Sequence, residues 1–365
     1  MSSHAATSFL GAWLRPPPTR PTLVPLGEVK PRALRAVLEH ERRCWRAALD
    51  WDFSHTAALI RRSLENQTLG GYALVTAGRV LGYVYYIPSP DRSLIGSVHV
   101  TDDGDAGHAA ARRLVERAVT DLVRDVRATR VESQHVYFGD EPLDEVFADW
   151  GFRRYPRCFL SGSVPELRAR LSSAAAGVEG SDAVTSFDDL ARGAVQVDGT
   201  AAAEVALDHA AEVIYRSFAG TVELEVSASY HSVEACREFV DGIAVRHGCG
   251  RFDRRASFVA GRAGNAAAVL LVSDVGRKTA HIAQLSVAPD AQRRGLGRRL
   301  LRAALDSLTA RGYDKVTLAV TTGNRRAYRW YRDLGFTVAR EFAAYAWSRS
   351  GGYCRGDRFS GTDCQ

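Results

Sequence analysis

The sequence predicts a mixed α/β protein built from two similar halves. Three observations lead there. Helical and strand-like hydrophobic periods alternate over residues 202–348 in the order ααβββαβαββ. The same order recurs, more weakly, from residue 31 onward. Both series also carry a helix that ends in a Gly-Phe pair, Trp150-Gly151-Phe152 and Leu334-Gly335-Phe336, with the two pairs 184 residues apart. A shared order and a shared helix ending point to an internal duplication, and 365 residues are enough for two domains.

In the first half the helical period covers 31–48 and about 54–67. Strand patterns follow at 71–77, 80–87 and 93–100, with a turn at Gly78-Arg79, then a helix at 105–127, a strand at 130–137 and a short helix at 142–150. In the second half helices cover 202–218 and 232–246, and strands cover 256–262, 267–274 and 279–287. Gly264-Asn265 and Gly276-Arg277 supply the turns between those strands. A helix over 295–311 places Leu301, Ala304 and Leu308 on one stripe and stops at Gly312. A strand at 315–321, a helix at 324–334 and two last strands within 336–348 complete the series. The domain reading is a proline-rich extended tail at 1–30, a first half at 31–171, a small and acidic linker at 172–200 with room for a short helix or strand, a second half at 201–349 and an aperiodic tail at 350–365.

Composition narrows the class. With 46% hydrophobic and 25% charged residues the chain is an ordinary globular one, not a disordered, collagen-like or coiled-coil sequence. Its apolar runs are too short to span a bilayer, and the short run near Phe9 has no basic flank before it, so it reads as a tail and not a signal peptide. Six cysteines at 44, 158, 236, 249, 354 and 364 form no C-x-x-C pair and no zinc-spaced cluster. They read as free thiols of a cytoplasmic protein, with no metal and no membrane partner expected. Cys354 and Cys364 could pair under oxidation. The net charge of +6 is local: residues 291–332 hold eleven Arg or Lys against two Asp, which leaves the rest of the chain acidic. A local excess suits a bound polyanion.

The loop Val287-Ala-Pro-Asp-Ala-Gln-Arg-Arg-Gly-Leu-Gly-Arg-Arg-Leu300 shows where that anion would sit. A strand ends and a helix begins at the glycines, so several backbone N–H groups lack intrahelical partners and face a phosphate with the helix dipole behind them. Gly295 and Gly297 allow close approach, and Arg293, Arg294 and Arg298 add cationic donors. The Walker and dinucleotide glycine patterns are both absent. What is present is Gln292-Arg-Arg-Gly295-Leu-Gly297, preceded by the strand Leu285-Ser286-Val287. About thirty residues on comes Asn324-Arg-Arg-Ala327-Tyr328-Arg-Trp-Tyr331-Arg-Asp-Leu334-Gly335-Phe336.

With those segments at that spacing, residues 200–349 resemble the GCN5-related N-acetyltransferase (GNAT) superfamily, and the first half resembles a degenerate copy of the same fold. The resemblance implies two tandem GNAT-like acyltransferase domains and acetyl-CoA as co-substrate. It implies that strand residues Leu285, Ser286 and Val287 bind the pantetheine arm and that Gln292, Arg293, Arg294, Gly295, Leu296, Gly297 and Arg298 form the pyrophosphate loop. Asn324 and Ala327 would line the pantetheine side, with Tyr331 beside the thioester sulfur. Where the second half has its glycine loop, the first has Asp102-Asp-Gly-Asp-Ala-Gly107, whose carboxylates repel a pyrophosphate.

The reaction implied is direct attack of an amine on the thioester. Tyr331 is the candidate general acid for the departing thiolate. The base is open. Gln284 stands near where many family members carry a Glu, and His281, three residues earlier, falls by alternation on the opposite face. Glu223 and Glu225 lie between the first two helices, where the family places substrate-binding residues. Alternation in an extended segment would put both on one face, as base or substrate contacts or simply as solvated carboxylates, and a chain of waters could also serve as base. Tyr230-His231 read as a helix-entry feature, and Trp45, Trp51 and Trp150 as core aromatics. The acceptor is a small-molecule or peptide amine, and the protein a monomer or homodimer. Two other readings stand beside this one: an acyl-CoA-binding regulatory module without turnover, favoured by Gln284, and a nucleic-acid binder, for which the sequence offers no motif.

Overall fold

The computed structural model describes residues 20–89, 91–137, 141–173, 182–192, 196–197, 200–262 and 265–349. Residues 1–19 and 350–365, with Cys354 and Cys364, and the turn residue Gly264 lie outside the described residues. The first half runs β1 (Thr22–Pro25), α1 (Arg35–Leu49), α2 (Ser54–Glu65), β2 (Gly70–Thr76), β3 (Arg79–Ile87), β4 (Ser93–Val100), α3 (Asp105–Arg124), β5 (Arg130–Gln134), α4 (Glu141–Asp149), β6 (Arg153–Ser163) and α5 (Val164–Ser173). The second half runs β7 (Ala183–Ser186), α6 (Phe187–Arg192), a small ladder of β8 (Gln196–Val197) and β9 (Thr200–Ala201), α7 (Ala202–Phe218), α8 (Glu223–Val226), α9 (Val233–Ala244), β10 (Arg251–Phe252), β11 (Phe258–Arg262), β12 (Asn265–Gly276), β13 (Thr279–Val287), α10 (Leu296–Ala310), β14 (Lys315–Thr321), α11 (Arg325–Leu334) and β15 (Thr337–Ser348).

The strands join into one mixed sheet in the order β1-β2-β3-β4-β5-β15-β6-β14-β13-β12-β11-β7. The centre of that order is an exchange between halves. β15, from the second half, pairs with β5, and β6, from the first, pairs with β14; β6 and β15 then pair antiparallel with each other. Each half therefore lends the other a strand.

Alternation within strands sends side chains to two opposite layers. On β12, Ala268, Leu270 and Val272 join the core under α5, α10 and α11, while Val269 and Leu271 join the core under α7 and α9. In the first half α3 and α4 cover one face and α1 and α2 the other. α10 forms because Leu296, Leu300, Leu301, Ala304, Leu305 and Leu308 fall on one helical stripe and are all buried. The Gly-Phe endings are equivalent in conformation: Gly151 and Gly335 both follow their helices in the left-handed region, at φ 76° and 106°, where a Cβ would be strained.

The structure corrects or adds to the sequence expectations at four places. The tail at 1–30 is structured at its end, since β1 pairs with β2 and Leu26 is buried. Short strands are decided by their partners, and a proline-rich stretch gives no periodicity to read. The linker at 172–200 holds both short elements it had room for, β7, which pairs with β11 at the edge of the second half's sheet, and α6 with the buried Phe187. The two strands expected within 336–348 are one strand, with a register irregularity between Val338 and Arg340. β6 and α5 carried no sequence signal, because a strand buried between two others shows little alternation.

Candidate functional site

The cleft lies where β13 and β14 part. The two pair in parallel only from Thr279–Ile282 against Lys315–Leu318. Beyond Ile282, β13 keeps its partner β12 but not β14, so residues 284–287 offer a backbone edge without a strand on that side. A cleft of about 420 Å³ opens there, lined by Leu285, Ser286 and Val287, the loop at Gln292 and Arg293, the first turn of α10, Asn324 before α11, and Ala327 and Tyr331 of α11.

The loop into α10 has the shape a phosphate needs. Gly295 is the N-cap, at φ 78°, with Arg293 also at a positive φ of 63°. The first bond of the helix runs from Arg299 N–H to Gly295 C=O, so the N–H groups of Gly295, Leu296, Gly297 and Arg298 find no acceptor inside the helix. A Cβ built on Gly297 would meet only Val287 at 3.6 Å and Trp330 at 3.9 Å, ordinary contacts, so the fold itself does not require that glycine. The space it leaves belongs to the cleft. Gln292 braces the loop, donating to Val287 C=O at 3.1 Å and accepting from Arg326 at 2.5 Å. Asn324 caps α11 by accepting from Ala327 N–H at 3.3 Å. Arg294 is exposed and does not line the cleft.

Tyr331 is buried at the end of the cleft, its ring against Trp330 and Phe336. Burial pushes its phenol well above the usual range, and the nearby Glu223 charge pushes it further. Glu223 is buried too and accepts from Thr321 Oγ1 at 3.0 Å, at the open end of β14. Tyr328 is partly buried and packs against the core of the second half.

The expectation that Glu223 and Glu225 share a face does not hold. They sit on the single helical turn α8, and Glu225 is exposed, paired with Arg153 at 2.7 Å and accepting from the Tyr155 hydroxyl at 3.2 Å. His281 and Gln284 differ from expectation in the opposite sense. A register shift opposite Leu271 and Val272 inserts one residue at Ala283. That bulge returns His281 and Gln284 to the same face. His281 is held by Thr317 at 2.9 Å and by the rings of Phe159 and Trp51, and burial lowers its pKa to about 3, so it is no base near neutral pH. Gln284 donates to Ser286 Oγ, which also accepts from Ser217.

Sequence comparison agrees with this geometry. The sequence model of the acetyltransferase (GNAT) family matches residues 223–336. This part of the chain belongs to the GNAT family. A stretch of 67 residues is 49% identical to the mycothiol acetyltransferase of Beutenbergia cavernae, covering 18% of this chain and 23% of that protein. Another match, 39% identical over 72 residues, is to the ribosomal protein bS18-alanine N-acetyltransferase of Salmonella typhimurium, covering 20% and 49%. The matches thus span less than half the length of either relative. In fold, a tandem GNAT protein from the clavulanic acid biosynthesis pathway superimposes over 90% of this chain and 98% of its own, with a TM-score of 0.55 at 15% identity.

The first half contributes to the walls of the GNAT domain. Glu132 of β5 accepts from Ala228 N–H at 2.6 Å and from Ser227 at 3.1 Å, and Arg130 donates to Glu225 C=O at 2.5 Å, so the segment after Glu223 is tied down by residues of the other half. Sequence reading missed these anchors. They act across the exchanged strands, where no local pattern records them. Beside the cleft lies a wider hollow of about 730 Å³ lined by Tyr215, Leu224, Tyr230 and His231. Tyr230 packs on Phe218 and Phe239, and the His231 ring meets Leu224 C=O at 2.7 Å. Among the described residues no helix is long and apolar enough to cross a membrane, and Cys44, Cys158, Cys236 and Cys249 are free thiols.

Proposed function

We propose that the chain is an N-acetyltransferase that moves an acetyl group from acetyl-CoA to a primary amine by direct attack, with one working site in the second half. One observation carries the reading: a single cleft combines a helix N-terminus with four open N–H groups, a strand edge without a partner and a buried phenol. In this reading the amides of Gly295 to Arg298 hold the pyrophosphate, helped by the Arg293 and Arg298 side chains. The open edge of Leu285, Ser286 and Val287 binds the pantetheine amides, Asn324 and Ala327 line its path, and Gln292 keeps the loop in shape.

Glu223 takes the proton that the acceptor ammonium must lose, directly or through a water. Tyr331 donates a proton to the sulfur as the C–S bond breaks. Its raised pKa keeps it in the donor form, and the same burial penalises a bare thiolate, so proton and charge pass between two desolvated groups. Glu225, already paired with Arg153, positions the segment. The first half is a non-catalytic copy that shapes the acceptor side. The acceptor is an amine on a small molecule or a peptide; the relatives' names give mycothiol and the alanine of ribosomal protein bS18.

Release of free thiol from acetyl-CoA over a panel of amines tests the reading. Tyr331→Phe should lower turnover by roughly 10–10³ while coenzyme A affinity stays within a few-fold. Because the phenol stays protonated past its ordinary value of about 10, the variant should leave the rate profile below that pH unchanged in shape. Glu223→Gln should lower turnover. Tight acetyl-CoA binding with no thiol release from any amine would favour the regulatory module instead.

A further inference from the structure

At the point of the first half that corresponds to the GNAT cleft, three metal-ligating side chains converge. α1 carries His40 and Cys44 one helical turn apart on the same face, and His99 stands next to the end of β4. His40 Nδ1 lies 2.9 Å from His99 Nε2 and 3.6 Å from Cys44 Sγ, and the three donor atoms all fall within 4.8 Å of one another. His99 is buried, while His40 and Cys44 are half-buried.

Hydrogen bonding alone leaves this cluster under-satisfied. A neutral imidazole nitrogen has one in-plane site, either a lone pair or a hydrogen. His40 Nδ1 faces two groups and can bond only one of them. His99 Nδ1 is also buried, with no partner among the described residues. A cation between the three groups would use the facing lone pairs together. With metal–nitrogen bonds of about 2.0–2.1 Å and a metal–sulfur bond of about 2.3 Å, a tetrahedral ion holds its nitrogens about 3.4 Å apart and nitrogen and sulfur about 3.6 Å apart. The Cys44–His40 separation already has that value, and the two imidazoles need to part by about half an ångström.

We propose that His40, Cys44 and His99 bind a divalent transition-metal ion, zinc by their donor set, in the first half of the chain. Two imidazoles and a thiolate suit zinc over the hard cations, which prefer oxygen. Three protein ligands leave a fourth position for water or for the Tyr137 hydroxyl near Cys44. Bound through Nε2, His99 keeps its proton on Nδ1, where it has no acceptor. The affinity is therefore about 10–100-fold below that of a site with complete outer hydrogen bonding. The site is independent of the acetyltransferase reading.

The test uses the full chain after chelator treatment. Titration with Co²⁺ should give one equivalent per chain, with the visible and thiolate charge-transfer absorption of tetrahedral cobalt, displaced by Zn²⁺. Cys44→Ser and His99→Gln should each weaken binding by at least about tenfold and should remove the rise in Tm that Zn²⁺ gives the parent protein. If either variant fails to fold, alkylation of the parent protein decides, with the Cys44 peptide followed by mass spectrometry: Zn²⁺ should slow modification of Cys44. No uptake of Co²⁺, uptake without a thiolate band, equal affinity in the variants, or alkylation of Cys44 at the same rate with and without Zn²⁺ would each overturn the proposal.

Discussion

The loop after β4 and the loop after β13 occupy corresponding places in the two halves and do opposite things with their backbone. After β13 the chain turns left-handed at Arg293 and Gly295 and leaves four N–H groups open to the cleft. After β4 the N-cap Gly104 is extended, and its N–H goes to the Asp102 carboxylate at 2.8 Å. A Cβ on Gly107 would lie 1.7 Å from Asp102 C=O, so that glycine exists to let the loop lie against its own helix. One glycine makes room for a ligand and the other for the protein. The side-chain layer differs in the same way. Ser217 and Ser286 join α7 to β13, whereas His40, Cys44 and His99 meet between α1 and β4. A duplicated fold keeps its scaffold and loses its loop chemistry separately, because scaffold and loop are specified by different residues.

The most severe test of this contrast removes the first half. A 195–349 fragment lacks β6 and β7, so β14 and β15 lose the strand between them and β11 loses its edge partner. It should be insoluble or inactive. A soluble, fully active fragment would show that the second half stands alone. Next in size is the glycine pair. Gly107→Ala should cost about 1–3 kcal/mol or more in chemical denaturation and leave coenzyme A affinity unchanged in the molecules that fold. Gly297→Ala should leave stability nearly unchanged and weaken coenzyme A binding by roughly tenfold or more. The reverse assignment of effects would break the comparison. Calorimetric titration should then find one coenzyme A per chain, and a stoichiometry of two would mean that the self-bonded loop opens for a ligand.

The smallest effect concerns Glu41 on α1. It is buried and takes hydrogen bonds from Tyr83, Ser97 and Trp45, with Tyr85 also nearby. Burial outweighs those bonds and raises its pKa from 4.5 to about 7. Between those values the folded chain holds a proton that the unfolded chain has released, so stability falls as pH rises through the window and stays lower above it. Glu41→Gln, in chelator-treated protein, should flatten that slope and raise Tm by a few degrees at pH above about 7. A parent and variant with parallel pH profiles would show that Glu41 is already ionised across this range.

What was legible in the sequence is what local periodicity and glycine placement encode. The stripe on α10, the paired Gly-Phe endings and the loop from Gln292 to Arg298 could be read because each is a run of neighbours whose spacing sets its geometry. The strand exchange could not be read, since β6 and β15 owe their positions to partners far away in sequence. The bulge at Ala283 was invisible for a related reason: strict alternation holds only while the register does, and one inserted residue brought His281 to the face of Gln284. Glu223 and Glu225 were assigned an extended segment because four residues of helix carry too short a period to detect. The His40, Cys44 and His99 cluster joins a helix to a strand more than fifty residues later, a distance over which no ligand-spacing rule applies.

The exchanged strand also sets an order in time. β5 takes β15 as its neighbour, with Gln134 opposite Ala344, more than two hundred residues downstream. At roughly 5–20 residues per second of synthesis, β5 spends roughly 10–40 s after it is made before its partner exists. During that interval the nascent first half carries a gap between β5 and β6, with two unpaired edges open to wrong pairings. The half of the molecule that the ribosome makes first therefore cannot be finished before the half that it makes second.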